Sequence, residues 1–347
     1  MPEKLGVGVI GAGGIAFRRT IPAMLKTKNV RVVAVMDPVD VEKVAKTFRI
    51  RRYYSEIEPL LEDPDVEAVY IASPVHCHLK QIEAAAQAGK HILCEKPLAR
   101  NLAETKKAVD ICRRKKVFLQ EGYMMKFHGA HQMIKGLIDE GRLGKLVYIR
   151  AQLSCWYPPI PGAWRQDPRT GGGGALIDMA THLLNLLEFF AGPIRRLVAL
   201  TGNLVHSYRS EDASTILAEF KAGTHATIDC FWCIPDEASR TRLELYGSAG
   251  AIYTEGTVGQ SVGGKAEGIF GLGSAGYDAA QSKDVVRKFQ PLPFKKINPY
   301  QAEWEYFAQC VLDGRAPEIN GPAEILRMAK LVDAAYTSAR KKAFESV

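Results

Sequence analysis

At 347 residues the chain is too long for one ordinary core, so two domains are expected, and its composition (47% hydrophobic, 24% charged, no repeat period) is globular. No apolar run approaches the roughly 20 residues of a membrane helix, and Pro2, Glu3 and Lys4 run straight into an apolar strand rather than a secretory signal, so a cytoplasmic protein without a membrane partner is expected. The formal net charge is +8, and residues 1–122 carry 21 Lys/Arg against 15 Asp/Glu, an excess suited to an anionic cofactor. Its densest run, Arg113–Lys116, falls at a predicted helix end, where cations favour the macrodipole, so no nucleic-acid partner is expected.

From Leu5 to about Gly122, short apolar runs alternate with amphipathic stretches. Strands are predicted at Leu5–Ile10, Arg31–Met36, Ala68–Ala72, His91–Cys94 and Val117–Gln120, with helices between them such as Ile15–Lys26 and His76–Ala88. Repeated β-α units imply a parallel sheet covered on both faces, so the fold class is α/β with an N-terminal Rossmann domain over 1–122. The rest, 123–347, reads as an α+β domain with a large, open, mainly antiparallel sheet, its last helices available to pack back on the first domain. A helix (His128–Asp139) leads to a strand (Lys145–Leu153), a Pro-rich loop (Tyr157–Pro168) and a glycine run, Gly171–Gly174, that opens a long apolar helix through Phe190. Strands then follow at Arg195–Leu204, Ser214–Phe220, Thr224–Cys233 and Arg240–Tyr246, without crossovers. The Gly/Ser/Ala-rich stretch 256–284 reads as a mobile loop. Two helices, Gln301–Leu312 and Ala323–Ala343, close the chain. Seven scattered cysteines, including Cys230 and Cys233 three apart in a strand, provide neither a disulfide framework nor a metal site.

Directly after the first strand stands Gly11-Ala-Gly13-Gly14-Ile15-Ala16. Gly11 permits a tight turn, Gly13 lets backbone approach a pyrophosphate, and Ala16 lets the following helix pack against the strand. That helix N-terminus offers free N–H groups and positive potential to phosphates. Asp37 ends the next strand, where a carboxylate accepts ribose hydroxyls and repels a 2′-phosphate; with Pro38 and Val39 following, no cation stands ready for such a phosphate. The expected cofactor is NAD, with NADP disfavoured. Ser73 and Pro74 close the third predicted strand, and His76 and His78 follow at the same carboxyl edge, which places them near the nicotinamide half or, for the histidines, at a helix cap.

Glu95-Lys96-Pro97 emerges at that edge from the next strand. Asp178 and His182 lie four apart on the helix after the glycine run and so share a face. Oxidising an alcohol with NAD needs a proton acceptor, and imidazole titrates near working pH. A neighbouring ammonium stabilises developing alkoxide, and a carboxylate either orients the imidazole or binds a second hydroxyl.

The runs Val66–Pro74, His76, Ala88–Ala99 with Glu95-Lys96-Pro97, and Gly172–His182 with Asp178-x-x-x-His182, preceded by Ala163-Trp164-Arg165, resemble the glucose-fructose oxidoreductase/inositol dehydrogenase/rhizopine-catabolism (Gfo/Idh/MocA) family. The resemblance extends from residue 5 to the final helix. It implies Lys96, Asp178 and His182 as the catalytic set, with His182 accepting the proton and Lys96 binding the reacting hydroxyl. It also implies that Glu95, Lys96, Trp164 and Arg165 touch the cofactor, and that the sheet mediates homodimers or homotetramers. Substrates in such a family are mostly sugars, inositols and their derivatives; Lys126 and Tyr157 lie in the segments where relatives differ most and are expected to touch substrate. Many members carry Gly two residues after the Asp; here Ala180 adds a methyl that narrows the pocket. The expected activity is hydride transfer between nicotinamide and a secondary hydroxyl or ketone of a sugar or cyclic polyol. Two other readings stand beside it: a glycoside-cleaving enzyme using bound NAD for transient oxidation, and a non-catalytic sensor, which the presence of Lys96 disfavours.

Overall fold

A computed structural model describes residues 4–272 and 288–347. Six strands, β1 (Leu5–Ile10), β2 (Val30–Met36), β3 (Arg52–Tyr54), β4 (Ala68–Ile71), β5 (His91–Glu95) and β6 (Leu119–Gly122), form a parallel sheet in the order β3-β2-β1-β4-β5-β6. The chain starts in the middle, winds to one edge, then returns past β1 to build the other. Between β1 and β4 the winding reverses, and the loops leaving those strands part to open a crevice at their carboxyl ends. β1 is buried along its whole length, as a strand between two helical layers must be. The short, mostly exposed edge strand β3 has no apolar alternation and was not predicted.

The faces of this sheet are completed from far downstream. Val7 and Val9 pack with Ile21 and Met24 but also with Trp304 and Phe307 of the helix Pro299–Leu312. Val69, Ile71 and Ile82 pack with Ile325 of the helix Pro322–Lys341. The same helix turns Met328, Leu331 and Ala335 into the second core, so one element ties both sheets together.

The second sheet has nine strands: β7 (Leu146–Ser154), β8 (Ile194–Gly202), β9 (Ala213–Phe220), β10 (His225–Phe231), β11 (Arg242–Gly247), β12 (Gly250–Glu255), β13 (Lys265–Phe270), β14 (Gln290–Pro291) and β15 (Glu345–Ser346). Their order is β14-β13-β12-β11-β7-β10-β9-β8-β15, antiparallel except for the central β7–β10 pair. A parallel pair needs a long crossover, here the whole segment from Cys155 to Thr224 with its apolar helix. β9 and β10 alternate buried and more exposed residues. The buried set packs on Leu183, Leu184 and Leu187 of the helix Thr181–Ala191, while Val147, Leu200 and Leu217 stand exposed on the sheet.

Two further details bear on the sequence reading. The stretch taken as a mobile loop contains β13, where Gly268 makes room for the Phe270 ring and Leu292, each within 3 Å of where a Cβ would sit. Residues 273–287 of that stretch lie outside the described ones. The helical stretch Pro168–Ala191 is, by length and mean hydropathy of 1.2, apolar enough to cross a membrane, but 78% of that window is buried inside the protein.

Candidate active site

Gly11 has φ +80°, and a Cβ there would lie 2.6 Å from the Ser73 amide nitrogen, so only glycine lets the β1 turn pass this close to the end of β4. Around Gly14 a Cβ would meet nothing within 4 Å, which leaves open space over the turn. The first-turn amides of Gly14 and Ile15 precede any intrahelical acceptor, and both residues line that space. Asp37, just beyond β2, accepts the Gly13 amide at 3.0 Å on one carboxylate oxygen and the Val39 amide at 3.0 Å on the other. These bonds hold the carboxylate at the lip of a cleft of ≈ 520 Å³ and leave each oxygen a further lone pair. Gly11, Gly13, Gly14, Ile15, Asp37, Ser73, Pro74, Glu95, Lys96, Trp164 and Arg165 all line that cleft. Glycine turn, free amides and acceptor carboxylate fit a dinucleotide.

His76 and His78 separate. His76 is exposed on the first turn of the helix Val75–Gln87 and lies outside the walls of the cleft, so the structure does not bring it to the other predicted cofactor residues. His78 is buried and lines the cleft, Nδ1 near the Pro97 and Leu98 carbonyls and Nε2 2.8 Å from that of Ser73. It stitches the β4 loop to the β5 loop.

A second cleft of ≈ 640 Å³ adjoins the first, lined from the larger sheet by Leu153, Cys155, Tyr157 and Trp232 and by the loop from Gly256 to Ser261. Lys96, Arg165 and His182 belong to both walls, and Asp178 to the second. Lys96 follows β5 with a cis bond to Pro97. Its ammonium donates to Asp178 Oδ1 at 2.9 Å and to the Asp178 carbonyl at 2.8 Å, and Arg165 Nε reaches the same carboxylate oxygen at 3.4 Å. Burial alone would push the Asp178 carboxyl up, but these two cations overrule it and hold it well below the usual carboxylate range.

The predicted four-residue spacing of Asp178 and His182 is interrupted by a wider π-type turn, Leu176–Ala180, before the α-helix from Thr181. Single π turns recur at functional sites. Asp178 pairs with the cations and makes no hydrogen bond to His182. The imidazole packs edge-on against Tyr123 at 5.7 Å between centroids, and its Nδ1 is buried without a partner. Burial first, then the positive charge of Lys96, push His182 well below its usual value, against an opposing pull from Asp178. Both effects favour the neutral imidazole over the charged one.

The start of this turn is held by a residue that spacing did not reveal. Glu211 Oε1 accepts the amides of Gly174 (2.9 Å) and Leu176 (3.2 Å) and the Tyr336 hydroxyl (2.8 Å). The glycine run is explained by the same contacts. A Cβ on Gly173 would lie 1.8 Å from the Tyr336 hydroxyl, and one on Gly174 2.0 Å from the Glu211 carbonyl. Behind Lys96, half-buried Glu95 accepts the Tyr70 hydroxyl, which also shares a hydrogen bond with Thr20. Tyr157 stacks edge-on against Trp232 in the second cleft. Lys126 does not reach it: the ammonium is buried against Glu324 at 2.9 Å and lines neither cleft, which corrects its expected substrate contact. Arg18, Gln260, Met124 and Trp232 were not singled out from sequence, because only the folded chain brings them to the clefts.

Comparison with known proteins agrees with this geometry. Residues 5–123 match the oxidoreductase family with an NAD-binding Rossmann fold, and residues 131–253 match the GFO/IDH/MocA C-terminal domain. A dTDP-3,4-didehydro-2,6-dideoxy-alpha-D-glucose 3-reductase from Saccharopolyspora spinosa is 31% identical over 74% of this chain and 76% of its own length. D-xylose 1-dehydrogenase (NADP(+)) 2 from Haloferax volcanii is 27% identical over 96% of both chains. The structure of levoglucosan dehydrogenase in complex with NADH and levoglucosan shares the fold, with a TM-score of 0.87 and 21% identity over 99% of this chain and 100% of that one. The chain belongs to the Gfo/Idh/MocA family of oxidoreductases, and the coenzyme of that class is a nicotinamide dinucleotide.

Proposed function

We propose that this chain moves hydride between NAD and a secondary hydroxyl or ketone of a sugar or cyclic polyol, with Lys96, Asp178 and His182 as its catalytic set. The observation that carries the reading is that Lys96 and His182 stand in the common wall of two adjoining clefts, one of them lined by the dinucleotide motif. Bound nicotinamide supplies the hydride acceptor or donor. The Lys96 ammonium binds the reacting oxygen and stabilises alkoxide character, and neutral His182 takes the hydroxyl proton. Asp178 keeps the ammonium in place and the local charge balanced.

The preference for NAD over NADP rests on Asp37, whose free lone pairs suit ribose hydroxyls and whose charge opposes a 2′-phosphate. Glu95, Trp164 and Arg165 complete the cofactor side, and Tyr157 the substrate side. The open sheet face carrying Val147, Leu200 and Leu217 suits assembly as a homodimer or homotetramer. The test is a panel of aldoses, inositols and glycosides with NAD and with NADP, followed by NADH or NADPH absorbance. Net reduced coenzyme with one sugar or polyol class supports the reading. Glycoside cleavage without net reduced coenzyme, or coenzyme binding without turnover, overturns it.

A further inference from the structure

The walls of the substrate cleft carry an unbalanced charge. Among the described residues its cations are Arg18, Lys96 and Arg165, and its only carboxylate is Asp178. Lys96 and Arg165 both spend their interaction on that carboxylate. The guanidinium of Arg18, in the π-type turn Ala16–Thr20 that follows the glycine motif, forms neither hydrogen bond nor ion pair among the described residues, although Arg18 lines both clefts. Across from it stands the loop from Gly256 to Ser261, and the amides of Gly259, Gln260 and Ser261 likewise make no hydrogen bond among the described residues. Gln260 comes close enough for its side-chain oxygen to meet Arg19 Nε at 3.4 Å, and Ser261 and Thr241 add hydroxyls to the same wall.

A guanidinium and amides without acceptors on one cleft are donors in search of acceptors, and the Ser261 and Thr241 hydroxyls can donate beside them. A neutral sugar needs both donors and acceptors. We infer that the substrate carries an anionic group, a phosphate or a carboxylate, which binds Arg18 and the Gly259–Ser261 loop while its reacting hydroxyl sits at Lys96 and His182. This rests on the dehydrogenase reading for what happens at the hydroxyl, but the anion site itself is a matter of binding alone.

The experiment therefore begins with equilibrium binding, which needs no turnover. NAD-loaded protein is titrated calorimetrically with D-glucose, D-glucuronate, glucose 1-phosphate and thymidine diphosphate; saturating NAD keeps the last from the coenzyme cleft. At least one anionic probe is expected to bind tenfold or more tightly than glucose, and which one it is distinguishes carboxylate, phosphate and nucleotide sources. Arg18→Ala should weaken that probe by about tenfold to a hundredfold, the scale of a charged hydrogen bond. Arg18→Lys should recover part of it, and the melting temperature of the unliganded protein should stay unchanged. Equal binding of glucose and the anions, binding of none of the anions, or an Arg18→Ala variant that loosens NAD instead would each overturn the anion site. If the anion binds through Arg18 and no hydride moves on any phosphorylated or acidic sugar, the redox reading fails while the site stands.

Discussion

The two clefts that meet at Lys96 and His182 are built in opposite ways. The coenzyme cleft is assembled mainly from turns at the carboxyl ends of consecutive parallel strands: Gly11–Ile15 after β1, Asp37 after β2, Ser73–Pro74 after β4 and Lys96 after β5. Each residue is placed by its own β-α unit. The substrate cleft takes Tyr157 from a loop, Trp232 from beyond β10, Gln260 from a loop before β13 and Arg18 from the other domain. None of these has a local reason to face the others. A site made of repeated local units advertises itself by spacing, whereas one made by sheet curvature and crossover does not.

The sharpest way to break this comparison is at the shared wall. Lys96→Ala and His182→Ala should each lower kcat by roughly two orders of magnitude or more, with the Kd for NAD little changed in His182→Ala when followed by fluorescence titration. Near-normal turnover in both would remove the catalytic assignment. Because burial holds His182 neutral, the acid limb of kcat/KM should lie below pH 6.5, the ordinary histidine value. A limb above it would mean that some other group supplies the base.

Next in size is the ion pair between the two halves. Asp178→Asn leaves the Lys96 ammonium without its counter-charge, a loss on the order of 2 kcal/mol for a partly buried, charge-assisted pair. The native carboxyl titrates below 3.8, its unfolded value. Its stabilisation is therefore complete above that value and is lost as pH falls through the lower folded one. The melting-temperature gap between wild type and variant should hold through neutral pH and begin to close only below about pH 4.

On the coenzyme side, Asp37→Ser should shift the ratio of kcat/KM for NAD over NADP toward NADP by about tenfold, the effect of one lost charged contact. An unchanged ratio would show that Asp37 does not read the ribose. A smaller effect concerns Glu121, which accepts the Leu98 amide at 2.7 Å behind Lys96 and which burial pushes up to about 8. Its neutral form stabilises the fold fully below its unfolded value of 4.5, and that contribution is lost as pH rises to about 8. Glu121→Gln should accordingly gain a few degrees of melting temperature on wild type between those limits, about the shift of one kcal/mol. The smallest change is expected from exposed His76→Ala, within about 0.5 kcal/mol by chemical denaturation and without effect on KM for NAD.

Among the residues read from sequence, the glycine turn, Asp37, Ser73, Lys96, Asp178 and His182 come to the clefts because each sits at a strand end or in a helix turn whose direction periodicity sets. Lys126 and His76 stand apart from the clefts for one physical reason. A sequence shows that a cation or imidazole is near a site in the chain, but not whether a remote carboxylate such as Glu324 has captured it or a helix turn has carried it outward. β12 and β13 were missed because Gly247–Gly250 and Gly268 look like loop, while what makes them strand is pairing with β11 and with each other.

Legible in the sequence alone are the parallel sheet, the dinucleotide turn and the candidate side chains Lys96, Asp178 and His182. These depend on short-range rules: the period of burial, the φ open to Gly11, and the carboxyl-end placement of Asp37 and Lys96. Packing of distant segments is what turns Asp178 toward Lys96 and Arg165 rather than His182, sets Glu211 under the turn carrying both, and leaves the Arg18 guanidinium without a hydrogen bond or ion pair among the described residues, on the wall it shares with Gln260. Those arrangements depend on which distant charge is nearest once the chain is packed.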